Sequence, residues 1–150
     1  MSNTKAEKAR AYFKEGYNCC QAVVLAFCEE AGIDKETALS VASSFGGGIG
    51  RMREVCGAVS GMCMIAGKLY GYTSPSAKEE KAEHYKLIQA LCEEFKNKNG
   101  SIICKELLGT EKSTHVPDER NAEYYKKRPC DMLVYDAAEI LEKVICEKNK

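Results

Sequence analysis

Residues 18–32 read NCCQAVVLAFCEEAG, and their reading decides the fold. Asn18 is a favoured N-cap type, and Gln21 follows three places on, as in a capping box. Gly32 supplies the stop. Between these signals, Cys20, Val23, Val24, Phe27, Cys28 and Ala31 recur at helical spacing and form one apolar face. The stretch is therefore expected to be a helix.

The same period continues on both sides. Lys5 to Glu15 is rich in Ala, Lys and Glu and ends at Gly16. Asp34 caps a short helix, with Glu36 in the first turn where the helix dipole favours an acid, and this helix runs to Phe45. A fourth helix is expected from about residues 52–55 to Tyr70, stopped by Gly71. Ser74 and Pro75 read as the cap and first residue of a long fifth helix. Its apolar face would be Ala82, Tyr85, Ile88, Leu91, Cys92 and Phe95, and residues 97–100 end it. Ser101 caps the short run IICKELL, which Gly109 ends. Residues 110–117 read as a polar loop and 118–127 as a short helix or turn. Pro129 opens the last helix, with the stripe Leu133, Ala137, Ile140, Leu141, Val144 and Ile145. Strand alternation is absent, and neither a repeat nor a linker divides the chain. The expectation is all-α, a single compact multi-helix bundle of about six to seven helices, with residues 1–150 as one domain.

Charge narrows the function classes. Lys plus Arg and Asp plus Glu both total 22, so there is no basic surplus to bind nucleic acid. No apolar stretch follows the early charges in MSNTKAEKARAYF as a secretory signal would require. No run approaches the ~18 apolar residues of a membrane span. The expected location is cytoplasmic. In a reducing cytosol, the nine cysteines argue for metal, cluster or redox chemistry, or for small buried side chains, rather than structural disulfides. With two histidines only, a site built mainly of imidazole is not expected. His84 falls on the polar side of its helix and is expected to be solvated. His115 lies in a loop as a candidate ligand, and Tyr124 and Tyr125 read as packing residues.

The predicted helices sort the cysteines. Cys28, Cys63, Cys92 and Cys146 fall in the middle or late parts of helices and are expected to pack in the core. Cys20 lies on the apolar stripe and is expected to pack as well. Cys19, Cys56, Cys104 and Cys130 fall at helix starts, where unpaired N–H groups and the dipole favour a thiolate and lower the thiol pKa. These four are separated by 37, 48 and 26 positions, so a site made from them requires tertiary convergence. No C-x-x-C occurs. This excludes a thioredoxin-type pair and covalent haem attachment, and it argues against a zinc ribbon.

The run Gly46-Gly47-Gly48-Ile49-Gly50-Arg51 lacks the spacing of a phosphate-binding P-loop, so no nucleotide motif is present. It reads either as a connection needing positive-φ residues or as backbone that approaches a cofactor closely. The candidate cofactor-binding residues are Gly47, Gly48, Gly50, Arg51, Gly57 and Gly61, with Arg53 adding positive charge. Gly57 and Gly61 lie four apart on one helix face, where something packs closely, either a neighbouring helix or a cofactor.

At GYNCCQAV, FGGGIGRMREVCGAVSG, SIICKELLG and RPCDMLVYDAAEIL the sequence resembles a family of small redox-active proteins labelled by its cysteine pattern C_GCAxxG_C_C. The resemblance covers the chain from about Gly16 to the last helix. It implies that Cys19, Cys56, Cys104 and Cys130 are the family's four cysteines. A more distant similarity is to split-Soret cytochromes, which combine haem with an iron–sulfur centre; without C-x-x-C-H the covalent haem does not transfer.

Three readings follow. In the first, the four thiolates ligate an iron–sulfur or other metal cluster for electron transfer. In the second, the same cysteines are redox thiols forming reversible disulfides, as in a thiol–disulfide oxidoreductase or sensor. In the third, the protein is a non-enzymatic helical binding module with buried cysteines. A redox partner protein is implied by the first two, and a homo-oligomer stays open.

Overall fold

The structure is a computed structural model that describes residues 4–109, 114–127 and 129–150, with only the backbone at 126 and 127. Among the described residues there are eight α-helices and one 3₁₀ turn. These are α1 (Lys5–Glu15), α2 (Cys19–Ala31), α3 (Lys35–Ala42), the 3₁₀ turn Ser43–Phe45, α4 (Gly57–Tyr70), α5 (Lys78–Asn99), α6 (Cys104–Leu108), α7 (Ala122–Lys127) and α8 (Cys130–Lys148). The all-α expectation holds, and the eighth helix is the short one within 118–127. Of the loop expected over 110–117, residues 110–113 lie outside the described part, as do residues 1–3 and Arg128.

Helix α2 forms with the caps read from its sequence. The Asn18 Oδ1 accepts from the Gln21 backbone N–H at 2.8 Å, and the Gln21 Oε1 accepts from the Asn18 N–H at 3.1 Å. Gly32 ends the helix in the left-handed conformation. The expected single apolar stripe proves too narrow. Cys19, Cys20 and all residues from Ala22 to Phe27 are buried, because α1, α3, α4 and α8 all pack against this one helix. Helix α1 crosses onto α8, and α5 lies against α4 and α8. One continuous core results, with Phe13, Phe27, Met62, Ile65, Leu91, Phe95, Ile140 and Leu141 at its centre.

Several expectations change. Helix α4 begins at Gly57 rather than near 52–55, because Gly47, Gly48, Ile49, Gly50, Arg51 and Arg53 all take positive φ, which ends any right-handed helix. Helix α5 begins at Lys78, since the Ser74 hydroxyl accepts from the Ser76 N–H within a turn instead of capping a helix. Ala82 is exposed and Tyr85 is 50% exposed. The first turns of α5 carry Lys and Glu on most sides, and only Leu91 and Phe95 of this helix are fully buried. His84, expected to be solvated, is half-buried beside Tyr72.

Of the cysteines expected in the core, Cys20 is buried in it, Cys28, Cys63 and Cys92 pack against it, and Cys146 does neither. Cys28, Cys63 and Cys92 are half-buried and Cys146 is exposed. Cys28 and Cys146 sit in the last turns of α2 and α8, and Cys63 and Cys92 face each other at the α4–α5 seam. The buried cysteines are Cys20 and the four at helix starts.

Candidate functional site

Each of the four helix-start cysteines is held by a local device. Cys19 is the first residue of α2, directly behind the Asn18 cap. Cys56 is the N-cap of α4. Its N–H donates to the Ile102 carbonyl at 2.8 Å, and the Cys104 N–H donates to the Glu54 carbonyl at 2.6 Å. With the antiparallel bridge between Val55 and Ile103, these bonds lock two short extended segments together. Cys56 and Cys104 therefore come from paired backbone although 48 positions separate them. Cys104 opens α6 and Cys130 opens α8 behind Pro129.

All four line one cavity of about 260 Å³, together with Gly47, Gly48, Gly50, Arg51, Arg53 and Gly57. The glycines allow the approach. A Cβ on Gly48 would lie 2.8 Å from Cys104 Cβ and 2.7 Å from the Glu54 nitrogen. A Cβ on Gly57 would lie 2.8 Å from the Phe45 carbonyl oxygen and 3.2 Å from Cys19 Cβ. Gly61 does not line the cavity. Its absent side chain admits the Cys20 carbonyl, 2.9 Å from where a Cβ would be, so its close neighbour is helix α2.

Charge completes the cavity. Arg53 is only 5% exposed, and its Nη1 donates to Cys104 Sγ at 3.7 Å. Its Nε has no partner, and among the described residues no carboxylate pairs with it. A buried guanidinium without a counter-charge is costly, so an anion is expected beside it. Arg51 donates to the Val116 carbonyl and sits 3.5 Å from the Asp118 carboxylate, which ties the segment over the cavity mouth. Arg120 donates to the Phe13 carbonyl at 2.7 Å and stacks on the Phe13 ring. His115 lies at the exposed rim.

Cys19 and Cys56 are not acidic, contrary to expectation. Cys19 is held well above the ordinary thiol range by its hydrogen bond with Cys130, then by burial and by the nearby Cys130, Cys56 and Cys104. Burial pushes Cys56 up to about 12, against the pull of the Ala58 and Val59 N–H groups at the start of α4. The helix-start effect is therefore present, and desolvation outweighs it. Among the described residues no disulfide joins any cysteine. No group of three or more Cys, His, Asp or Glu is gathered as a ready metal-ion site there.

The four cysteines and the glycines at 47, 48, 50 and 57 that the sequence singled out lie together at this cavity. Sequence reasoning missed Arg120, Phe13 and Leu133 in the cavity wall, which carry no local motif. It also missed the meeting of Cys63 with Cys92.

Helices that gather buried thiols from four of their starts around one cavity define a small cysteine-centred all-α protein. The chain belongs to the family described as "Putative redox-active protein (C_GCAxxG_C_C)", whose model matches residues 17–144. No curated protein and no solved structure matches it. No helix among the described residues is long and apolar enough to cross a membrane.

Proposed function

We propose that the protein transfers electrons through an iron–sulfur cluster held by Cys19, Cys56, Cys104 and Cys130. The observation that carries this reading is the convergence of these four buried thiols with the buried cation Arg53 at one cavity. The donor set fits: four thiols are the usual ligand set of such clusters, and Arg53 offsets part of their charge once they are deprotonated. At about 260 Å³ the cavity is smaller than typical organic-ligand pockets of roughly 300–1,000 Å³.

The cluster, when bound, supplies one-electron chemistry. The chain's own residues deprotonate on binding, orient the sulfurs and exclude water. Cys56 and Cys104 are fixed by backbone pairing and Cys19 by its cap. Arg51 ties Val116 and Asp118 to the glycine segment beside the cavity, and Arg53 donates to the Cys104 sulfur.

Anaerobic purification, or reconstitution with ferrous iron and sulfide, is expected to give a brown protein with matched iron and sulfide. Serine at any of the four positions is expected to lower the iron content, whereas C28S leaves it unchanged. A colourless, iron-free product after both routes sinks the proposal. The Cys19–Cys130 thiol contact favours a second reading, a reversible disulfide at the same site. That reading requires two thiols to disappear on oxidation of the metal-free protein.

A further inference from the structure

We propose that Cys63 and Cys92 form a second redox site, distinct from the four-cysteine cavity, which closes reversibly to a disulfide between α4 and α5 when it meets a low-molecular-weight disulfide. The two sulfurs lie 3.9 Å apart across the helix seam. Closing to the disulfide length of about 2.04 Å is a movement of roughly 1.9 Å. Neither residue is buried, which sets them apart from cysteines that serve only to fill a core. Cys92 opens onto a surface groove shared with Lys96, Ser101 and Glu106, so a small disulfide can reach it. Cys63 stands behind it, without a place in that groove. This is the arrangement of an attacking and a resolving cysteine. The hydrogen bond shared with Cys63 lowers the Cys92 thiol to about 7 against the opposing effect of burial.

The chemistry balances in two exchanges. The Cys92 thiolate attacks one sulfur of R–S–S–R. The old S–S bond breaks, the first R–S⁻ leaves and takes up the proton released by Cys92, and Cys92 holds R–S as a mixed disulfide. Cys63 then loses its proton and attacks Cys92 Sγ, expelling the second R–S⁻, which takes up that proton. Two protein thiols lose two electrons, and R–S–S–R becomes two R–SH. Excess R–SH reverses both steps. The bond would latch α5 to α4 two turns beyond Cys56, so a thiol-redox signal at the surface reaches the helix whose start lines the cavity.

The full-length protein is treated with glutathione disulfide, quenched with N-ethylmaleimide in acid, digested without reduction and mapped by mass spectrometry. The expected result is a Cys63–Cys92 linked peptide, loss of maleimide from both residues, and recovery on adding dithiothreitol. The C63S variant is expected to trap one glutathione on Cys92, and C92S to form neither the link nor an adduct at Cys63. Full maleimide labelling of Cys63 and Cys92 after treatment, or linkage confined to Cys19 and Cys130, overturns the proposal. The wild-type map alone decides this, even where a variant fails to fold.

Discussion

At the scale of single residues, charge and solvent decide what each cysteine can do. Cys56 has helix N–H groups pulling its pKa down, yet burial carries it to about 12. Cys92 shares one hydrogen bond with Cys63 at a half-exposed seam and falls to about 7. Glu93 and Lys96 of α5 and Glu106 of α6 border the same groove, so the charges around Cys92 are mixed and the Cys63 bond dominates. Thiolate is the reactive form. In metal-free protein, alkylation of Cys92 by iodoacetamide is therefore expected to climb as pH rises through about 7 and then level off, while Cys56 stays slow throughout the neutral range. Peptide mapping across pH 6–9 checks this, and equal rates at the two residues would sink it. Arg53 acts on the other site. A cation touching a ligand sulfur favours the reduced, more negative state, so Arg53→Leu is expected to lower the reduction potential of the loaded protein by tens of millivolts, with Arg53→Lys in between. Protein-film voltammetry reads the shift, and an unchanged potential in Arg53→Leu removes the guanidinium from the mechanism. The sequence marked Arg53 only as nearby positive charge, because its burial against Cys104 depends on a contact 51 positions away.

At the scale of elements, the helices were largely legible and the connection before α4 only in its glycines. Thr4, Asn18 and Asp34 cap their helices, and caps are local chemistry that the sequence displays directly. In the 46–56 segment, by contrast, Ile49, Arg51 and Arg53 take positive φ, a conformation that L-residues avoid and propensity does not foresee. It persists because the segment is bonded to itself and to 102–105, as in Arg53 N–H to the Gly47 carbonyl at 3.1 Å and Lys105 N–H to the Arg53 carbonyl at 3.2 Å. The glycine pair on α4 was legible as a sign of close approach, but not which side approached. Gly61 meets the backbone of α2, and a Cβ there would fall 2.9 Å from the Cys20 carbonyl oxygen and 3.1 Å from Val23 Cβ. Backbone cannot rotate aside, so Gly61→Ala forces two buried helices apart at roughly 1–3 kcal/mol, offset by about 1 kcal/mol of helix propensity. A net loss of up to ~2 kcal/mol is expected. Gly67 of the same helix has only His84 Nε2 near, at 4.0 Å, so Gly67→Ala keeps the propensity gain and is expected to stabilise by up to about 1 kcal/mol. Urea titration of the pair tests the seam; if both changes shift stability in the same direction, the close-approach account of Gly61 is wrong.

At the scale of the whole molecule, the candidate site is inseparable from the fold. Its four cysteines come from the starts of α2, α4, α6 and α8, and the buried faces of α2, α4 and α8 belong to one continuous core. Nothing in the spacing of 37, 48 and 26 positions announced that these four points would meet; only the packing of α2 at the centre of the bundle brings them together. An unfolded chain therefore offers no comparable site, and any group that binds the four sulfurs binds the native state almost alone. Binding of that kind stabilises by RT ln(1 + [L]/Kd), about 2.7 kcal/mol at one hundred times Kd. For a chain of this size that is on the order of 5–10 °C in Tm. The loaded protein is accordingly expected to melt about that much higher than the metal-free one. Loss of visible absorbance should coincide with loss of helical circular dichroism, because the site cannot come apart while the core stands. The C19S and C130S variants, which remove ligands from helices at opposite ends of the chain, are each expected to abolish the difference between the two preparations. Absorbance that bleaches well below the helical transition, or a Tm indifferent to loading, would place the bound group on a local surface site rather than at the convergence of the four helix starts.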